Sequence, residues 1–128
     1  AAAREYLDFE HGKIADSQLR SDLVDYDMNM HAIGLTHFRT FEEKIAGVRS
    51  AAPMVMKYVG TEAEVTKSEL LLAIMGSQGL GWEGDGFSKS EIDTLRLWAM
   101  SKIMTIAGGT SEIQLNVIAK NVLQLPQS

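Results

Sequence analysis

Two glycine-bearing segments contain residue types that could hold a ligand. The first is Gln78-Gly79-Leu80-Gly81, within a stretch from Gly76 to Gly86 that carries five glycines in eleven residues. The second is Gly108-Gly109-Thr110-Ser111-Glu112. Each precedes a helical pattern, the first after an interval of several residues. A helix start leaves backbone N–H groups without intrahelical partners and carries partial positive charge, so it suits phosphate or another anion. Glycine lets a ligand approach the main chain closely. On spacing alone a plain turn is the other reading of both segments.

The rest of the chemistry-bearing inventory is thin. His11, His31 and His37 form no i, i+4 pair and no HExxH pattern, so a histidine metal site is not expected. No nucleophile-elbow pattern frames a serine. There are no cysteines, which excludes disulfide scaffolds, cysteine zinc sites and thiol catalysis. Seven methionines fall on the apolar helical faces, which points to core packing rather than soft ligation.

Helices must position these segments. The chain has 128 residues, is 45% hydrophobic and 23% charged, and contains only two prolines, Pro53 and Pro126. That composition fits a domain with long uninterrupted helices. The net charge of -5 argues against a general nucleic-acid binder. No apolar run reaches the roughly 18 residues of a membrane span. The start at Ala1-Ala2-Ala3 rather than Met reads as a processed or excised piece, and the cytoplasm is the default location.

Residues 1–11 read as helical, like the tail of a helix whose beginning is missing, and Gly12 breaks the pattern. Asp16 or Ser17 suits the cap of a long helix whose apolar residues, from Leu19 to Ile45, recur at steps of three and four, one buried face. Gly47 to Pro53 reads as a connector, with Pro53 in the first turn of a second helix. Gly60 within that helix offers room for a close neighbour. Ser88 with Glu91, and Ser111 with Gln114, match the capping-box spacing and open a third and a fourth helix. No strand of period two stands out. The expected fold is all-α: an up-and-down, four-helix-bundle-like domain over 1–128 with three long helices and a shorter one.

At this point the residues resemble a known family. Gln78-Gly79-Leu80-Gly81, a helix carrying Lys102, and Gly109-Thr110-Ser111-Glu112-Ile113-Gln114 followed by Asn116-Val117-Ile118-Ala119 look like the C-terminal end of an acyl-CoA dehydrogenase. Met54 to Glu62, with Lys57 and Gly60-Thr61-Glu62, resembles the bacterial branch. The resemblance covers nearly the whole chain and is strongest from residue 54.

The resemblance implies an N-terminal helical domain, a middle β domain and a C-terminal helical bundle. It implies FAD between the last two, with a second subunit contributing. The implied reaction is α,β-dehydrogenation of an acyl-CoA thioester, in which a glutamate takes the α proton and flavin N5 the β hydride. Gln78, Gly79, Leu80, Gly81 and Trp82 occupy the loop that touches the partner subunit's FAD. Thr110, Ser111 and Glu112 occupy the stretch near the ribityl-ADP portion, and Gly109 the acyl-CoA contact. Implied partners are acyl-CoA, the missing domains, an electron acceptor, and further subunits in a homo- or hetero-oligomer (dimer or tetramer).

Departures from the family pattern qualify this. Trp82 replaces a second glycine. Ala99 and Met100 replace a charged pair. Phe9-Glu10-His11-Gly12-Lys13 lacks a matching arginine. The usual base position holds Gly108, and the variant position one residue earlier holds Ala107. Neither side chain can accept a proton. Three explanations stay open: a base on an upstream helix, a non-catalytic subunit of a heteromeric dehydrogenase, or another chemistry or none. A stand-alone helical interaction module is the competing class, and the isolated piece is not expected to be active.

Overall fold

The computed structural model describes residues 3–126, without the side chains of Ala3 and Arg4. The chain forms α1 (Ala3–Tyr6), β1 (Phe9–Glu10), β2 (Lys13–Ile14), α2 (Ser17–Ile45), α3 (Ala52–Met75), α4 (Lys89–Met104) and α5 (Ser111–Asn121), with a 3-10 turn over Gly76–Leu80. The architecture is all-α, as the periodicity predicts. Among the described residues no helix is long and apolar enough to cross a membrane. No group of three or more His, Cys, Asp or Glu side chains is placed to hold a metal ion there.

α3 is the central helix and packs against α2, α4 and α5. α2 and α3 are antiparallel: Thr36 lies near Val55 at one end of the groove between them, and Tyr26 packs toward Leu70 and Ile74 at the other. α4 returns along α3, its far end meeting Lys57. α5 also runs against α3, from Ser111 on Glu62 to Val122 beside Val55. The Gly108–Gly109 junction therefore turns the chain without reversing it.

Local chemistry explains the helix ends. The Asp16 side chain accepts the Leu19 N–H and starts α2. Pro53 sits in the first turn of α3, where its missing N–H costs nothing. Ser88 and Glu91 form the expected capping box on α4. The α5 box is not formed as expected: the cap is Thr110, one residue earlier, and its hydroxyl accepts the Ile113 N–H. The Gln114 side chain instead donates to the Gly108 carbonyl. Gly60 meets no neighbour, so the close approach expected there is absent.

The N-terminal segment corrects the sequence reading further. The helix expected over 1–11 stops at Tyr6, and Ala1 and Ala2 lie outside the described residues. Phe9–Glu10 pairs antiparallel with Lys13–Ile14. The two connecting residues, His11 and Gly12, have φ of 49° and 76°. Two consecutive left-handed residues match the handedness of a two-residue hairpin turn, and histidine tolerates that region better than most side chains.

The core is small. Leu19, Leu70 and Ile74 form it, with Tyr6, Leu7, Ile14, Leu23 and Tyr26 packed around them. The single buried face expected along α2 is realised only near its start: Leu35, Phe38, Phe41 and Ile45 are all exposed. The methionines behave similarly. Met75 is buried, whereas Met28, Met30, Met54, Met100 and Met104 are exposed, against the expectation of core packing. A chain this size buries helical faces only where another element lies against them, and α2 is met by α3 along the groove and by the Tyr6–Ile14 segment at its start.

Glu91 is the buried charge of this region, at 7% exposure. It accepts the Ser88 backbone N–H at 2.6 Å and the Tyr6 hydroxyl at 3.0 Å, so it joins α1 to the start of α4. The Ser88 N–H bond, followed by the Ser88 and Tyr6 hydroxyl bonds, holds its carboxyl below the usual range against the opposing effect of burial. The same bond to Glu91 raises the Tyr6 hydroxyl. A carboxyl lowered in the folded state contributes stability that is fully present above its unfolded pKa, about 4.3. That stability is lost as pH falls through the lower folded value. Glu91→Gln should therefore lower the urea midpoint at pH 7 and bring it closer to wild type at pH 3. Equal deficits at both pH values would count against the ionised Glu91 anchor.

Candidate functional site

The second glycine segment is built by α3. Lys57 lies one turn into that helix and reaches the open end of α4. Its ammonium donates to the Gly109 carbonyl at 2.7 Å and to the Thr105 carbonyl at 3.5 Å. The last carbonyls of a helix carry partial negative charge and lack partners, so a cation is well placed there. Five residues on, Glu62 accepts the Ser111 hydroxyl at 2.5 Å and fixes the start of α5. Lys57 and Glu62 thus hold the junction from both sides.

Between those anchors Gly108 and Gly109 have φ of 74° and 105°. The second value lies in a region that is nearly exclusive to glycine. A Cβ on Gly109 would also stand 2.8 Å from the Gln114 side-chain nitrogen. The two glycines are required by the turn itself. Ala107 and Gly108 are exposed beside it.

Thr110, Ser111 and Glu112 follow in the first turn of α5. Two of their three side chains are engaged within the chain: Thr110 caps Ile113, and Ser111 binds Glu62. Glu112 is exposed. A hydrogen bond from the Thr110 hydroxyl, then one from its own backbone N–H, holds its carboxyl below the ordinary range. Glu112 is an ionised acceptor at a helix start and a weak base. It suits hydroxyl groups of a ligand better than a phosphate, which its charge would repel.

The first glycine segment sits at the other end of α3. Gln78, Leu80 and Trp82 are exposed, and Gly79 and Gly81 are buried. A Cβ on Gly79 would come within 3.0 Å of the Leu72 carbonyl oxygen, and one on Gly81 would overlap the Phe87 ring. Both glycines serve close packing of the chain on itself, so the loop presents the Gln78 amide and the Leu80 and Trp82 side chains. Gly81→Ala should cost about 1–3 kcal/mol by driving Phe87 off the loop. Chemical denaturation of the variant checks this, and a midpoint equal to wild type would refute the contact.

The two segments are not brought together. Glu62 and Leu72, which hold one each, are ten residues apart on α3, about 15 Å along the helix. One chain therefore presents two separate surfaces, not one pocket. Three residues that organise them carried no functional reading in the sequence. Phe87 closes the first loop, Arg96 reaches Trp82 from α4, and Tyr6 binds Glu91. Tyr6 and Glu91 lie 85 residues apart and Arg96 lies 14 from Trp82, so neither contact leaves a local signature, and the step from Gly81 to Phe87 crosses an irregular loop. Lys57 lay in the matching motif, yet its role as a helix-end clamp emerges only from the fold.

An all-α unit, with a central helix clamping a double-glycine turn onto a threonine-capped helix, defines a helical bundle domain with glycine-bearing loops at both ends of α3. The family model described as Acyl-CoA dehydrogenase, C-terminal domain, matches residues 1–123. The chain belongs to the acyl-CoA dehydrogenase family through that domain. No curated protein matches the chain.

Proposed function

We propose that this chain is the C-terminal part of an FAD-dependent acyl-CoA dehydrogenase that removes the α and β hydrogens of an acyl-CoA thioester. In this reading residues 1–128 are the helical C-terminal domain, and N-terminal and middle domains complete the functional protein. The observation that carries it is the Lys57–Gly109 and Glu62–Ser111 scaffold, which presents the Gly-Thr-Ser-Glu-Ile-Gln run at the start of α5.

The residues fit a dinucleotide in two places, on two surfaces. Thr110, Ser111 and Glu112 would hold one FAD, with the ionised Glu112 accepting from its hydroxyl groups. Gln78, Leu80 and Trp82, shaped by Gly79 and Gly81, would meet the FAD of a second subunit. The separation of the surfaces supports sharing across an interface. The exposed apolar residues Leu35, Phe38, Phe41 and Ile45 support a homo- or hetero-oligomer, a dimer or tetramer. Gly109 lies where acyl-CoA would approach. When bound, FAD supplies the hydride acceptor.

This chain supplies no base at the matching positions. Gly108 and Ala107 carry no proton-accepting group. The α proton would go to a carboxylate contributed by the upstream part of the protein, and an electron acceptor would reoxidise the flavin. The same two residues favour a second reading, a non-catalytic subunit of a heteromeric dehydrogenase.

The test is the visible spectrum of the whole flavoprotein, co-expressed with its partner subunits and titrated anaerobically with acyl-CoAs of varied length. Bleaching of the flavin band is the expected result and means that the base lies elsewhere than Ala107 and Gly108. Bound flavin that never bleaches selects the non-catalytic subunit. A protein that retains no flavin overturns both readings in favour of a helical interaction module.

A further inference from the structure

We infer that Arg96 is the positioning residue of the Gln78–Trp82 loop, holding Trp82 by its backbone and its ring at once. The inference deepens the reading of that loop as a flavin contact and rests on it for its functional consequence. Its structural content stands alone.

The loop is pinned at successive points. Gly79 lies against Leu72 of α3, and Gly81 against the Phe87 ring. The Phe87 N–H donates to the Gly84 carbonyl, which closes the turn after Trp82. At Trp82 the main chain leaves these contacts, and its indole stands 54% exposed. A large apolar ring in that position is only half covered.

Arg96 supplies the missing support. It lies on α4, whose start is fixed by the Ser88–Glu91 capping box. Its guanidinium donates to the Trp82 carbonyl at 3.3 Å and lies 5.5 Å from the centre of the Trp82 ring. A planar guanidinium can do both, because its donors lie in the plane and its charge is spread over the face. Glu83 and Asp85 make the loop acidic, and Arg96 brings a cation to it. Trp82 stands where the family pattern has glycine. A glycine needs no such prop, and an indole left to rotate would sweep across the surface on which Gln78 is presented. With the ring held, the Gln78–Trp82 surface keeps one shape toward a ligand.

The protein has two tryptophans, Trp82 and Trp98. A Trp98→Phe background therefore reports Trp82 alone. In that background, Arg96→Ala and Arg96→Lys are compared by acrylamide quenching, with far-UV circular dichroism as the control for folding. Loss of an exposed cation–π contact corresponds to about 2–5-fold in the ratio of held to free ring. Arg96→Ala should raise the quenching constant markedly. Arg96→Lys should restore part of the protection, since lysine keeps the charge but not the planar fork. Unchanged quenching in Arg96→Ala with helicity intact would overturn the inference. So would an increase in Arg96→Lys as large as that in Arg96→Ala.

FAD titration of the same variants carried in the whole flavoprotein, read by equilibrium dialysis, separates the two levels. Weaker FAD binding in Arg96→Ala, partly recovered in Arg96→Lys, supports both the clamp and the flavin contact. A freed Trp82 with FAD binding unchanged supports the clamp and overturns the flavin contact of the loop.

Discussion

Replacing Lys57 by methionine is expected to release the junction between α4 and α5. The ammonium is the group that joins the Gly109 and Thr105 carbonyls to α3. Methionine retains the apolar stem and removes the donor. The Thr105 carbonyl at the α4 terminus and the Gly109 carbonyl of the turn then lose their partner, and the favourable placement of a cation against that terminus is lost as well. A hydrogen bond from a charged donor contributes about 1.5–3 kcal/mol, and the partly exposed site places the expected loss near the lower end. Hydrogen exchange resolves where the loss falls. Amides from Ile106 to Gln114 should exchange faster, while those of α2 should be unaffected. A uniform change along the whole chain would argue that Lys57 contributes to global stability and not to the junction. Arginine at this position should recover less than charge alone suggests, since its fork must fit two carbonyls reached by a compact ammonium.

Gly109→Ala is expected to have an effect of similar size by a different route. At a φ of 105° an L side chain is strained wherever its atoms go, at a cost of about 1–3 kcal/mol. The new Cβ would also displace the Gln114 amide, which at present donates to the Gly108 carbonyl at 3.1 Å. Losing that bond adds about 1 kcal/mol. The strain and the lost bond converge on the first turn of α5, so the Thr110 cap and the Ser111–Glu62 bond should loosen with them. Urea denaturation measures the total. A double variant with Gln114→Ala separates the parts: the strain should persist when the amide is gone, and the displacement should not. A double variant no less stable than Gln114→Ala alone would mean that backbone strain at Gly109 is negligible.

Both predictions concern a junction whose residues were conspicuous in the sequence and whose supports were not. Gly108, Gly109 and Thr110 are legible because a tight turn and a helix cap are local events, decided within a few residues. The misplacement of the cap by one residue has the same origin. Thr110 and Ser111 are both good caps, and only the bond from Ser111 to Glu62, on another helix, removes Ser111 from the choice. Lys57 and Glu62 act across 52 and 49 residues, so no periodicity in their own helix marks them. Arg96 is similar: its spacing to Trp82 has no meaning until α4 folds back along α3.

The apolar pattern shows the same division at larger scale. Steps of three and four correctly marked α2, α3, α4 and α5, because amphipathic period and breakers such as Gly47, Pro53 and Gly108 are written into neighbouring residues. The pattern does not say which part of a stripe meets another helix. Leu19 is buried and Phe38 is exposed on the same helix, because the Tyr6–Ile14 segment and the far end of α3 cover only the first turns. The short hairpin at Phe9–Ile14 escaped for a related reason: two-residue strands carry too little alternation to read, and the sign of φ at His11 is set by pairing.

By itself, then, the sequence determined the helices α2 to α5, the start caps of α2, α4 and α5 to within a residue, the all-α class and, through its motifs, the family. Those depend on short-range hydrogen bonding and on the spacing of residue types. The tertiary structure alone decided that the two glycine segments lie at opposite ends of α3, that Lys57, Glu62 and Arg96 hold them, and which apolar faces stay uncovered. Those depend on contacts between residues far apart in the chain, which exist only once the helices have packed.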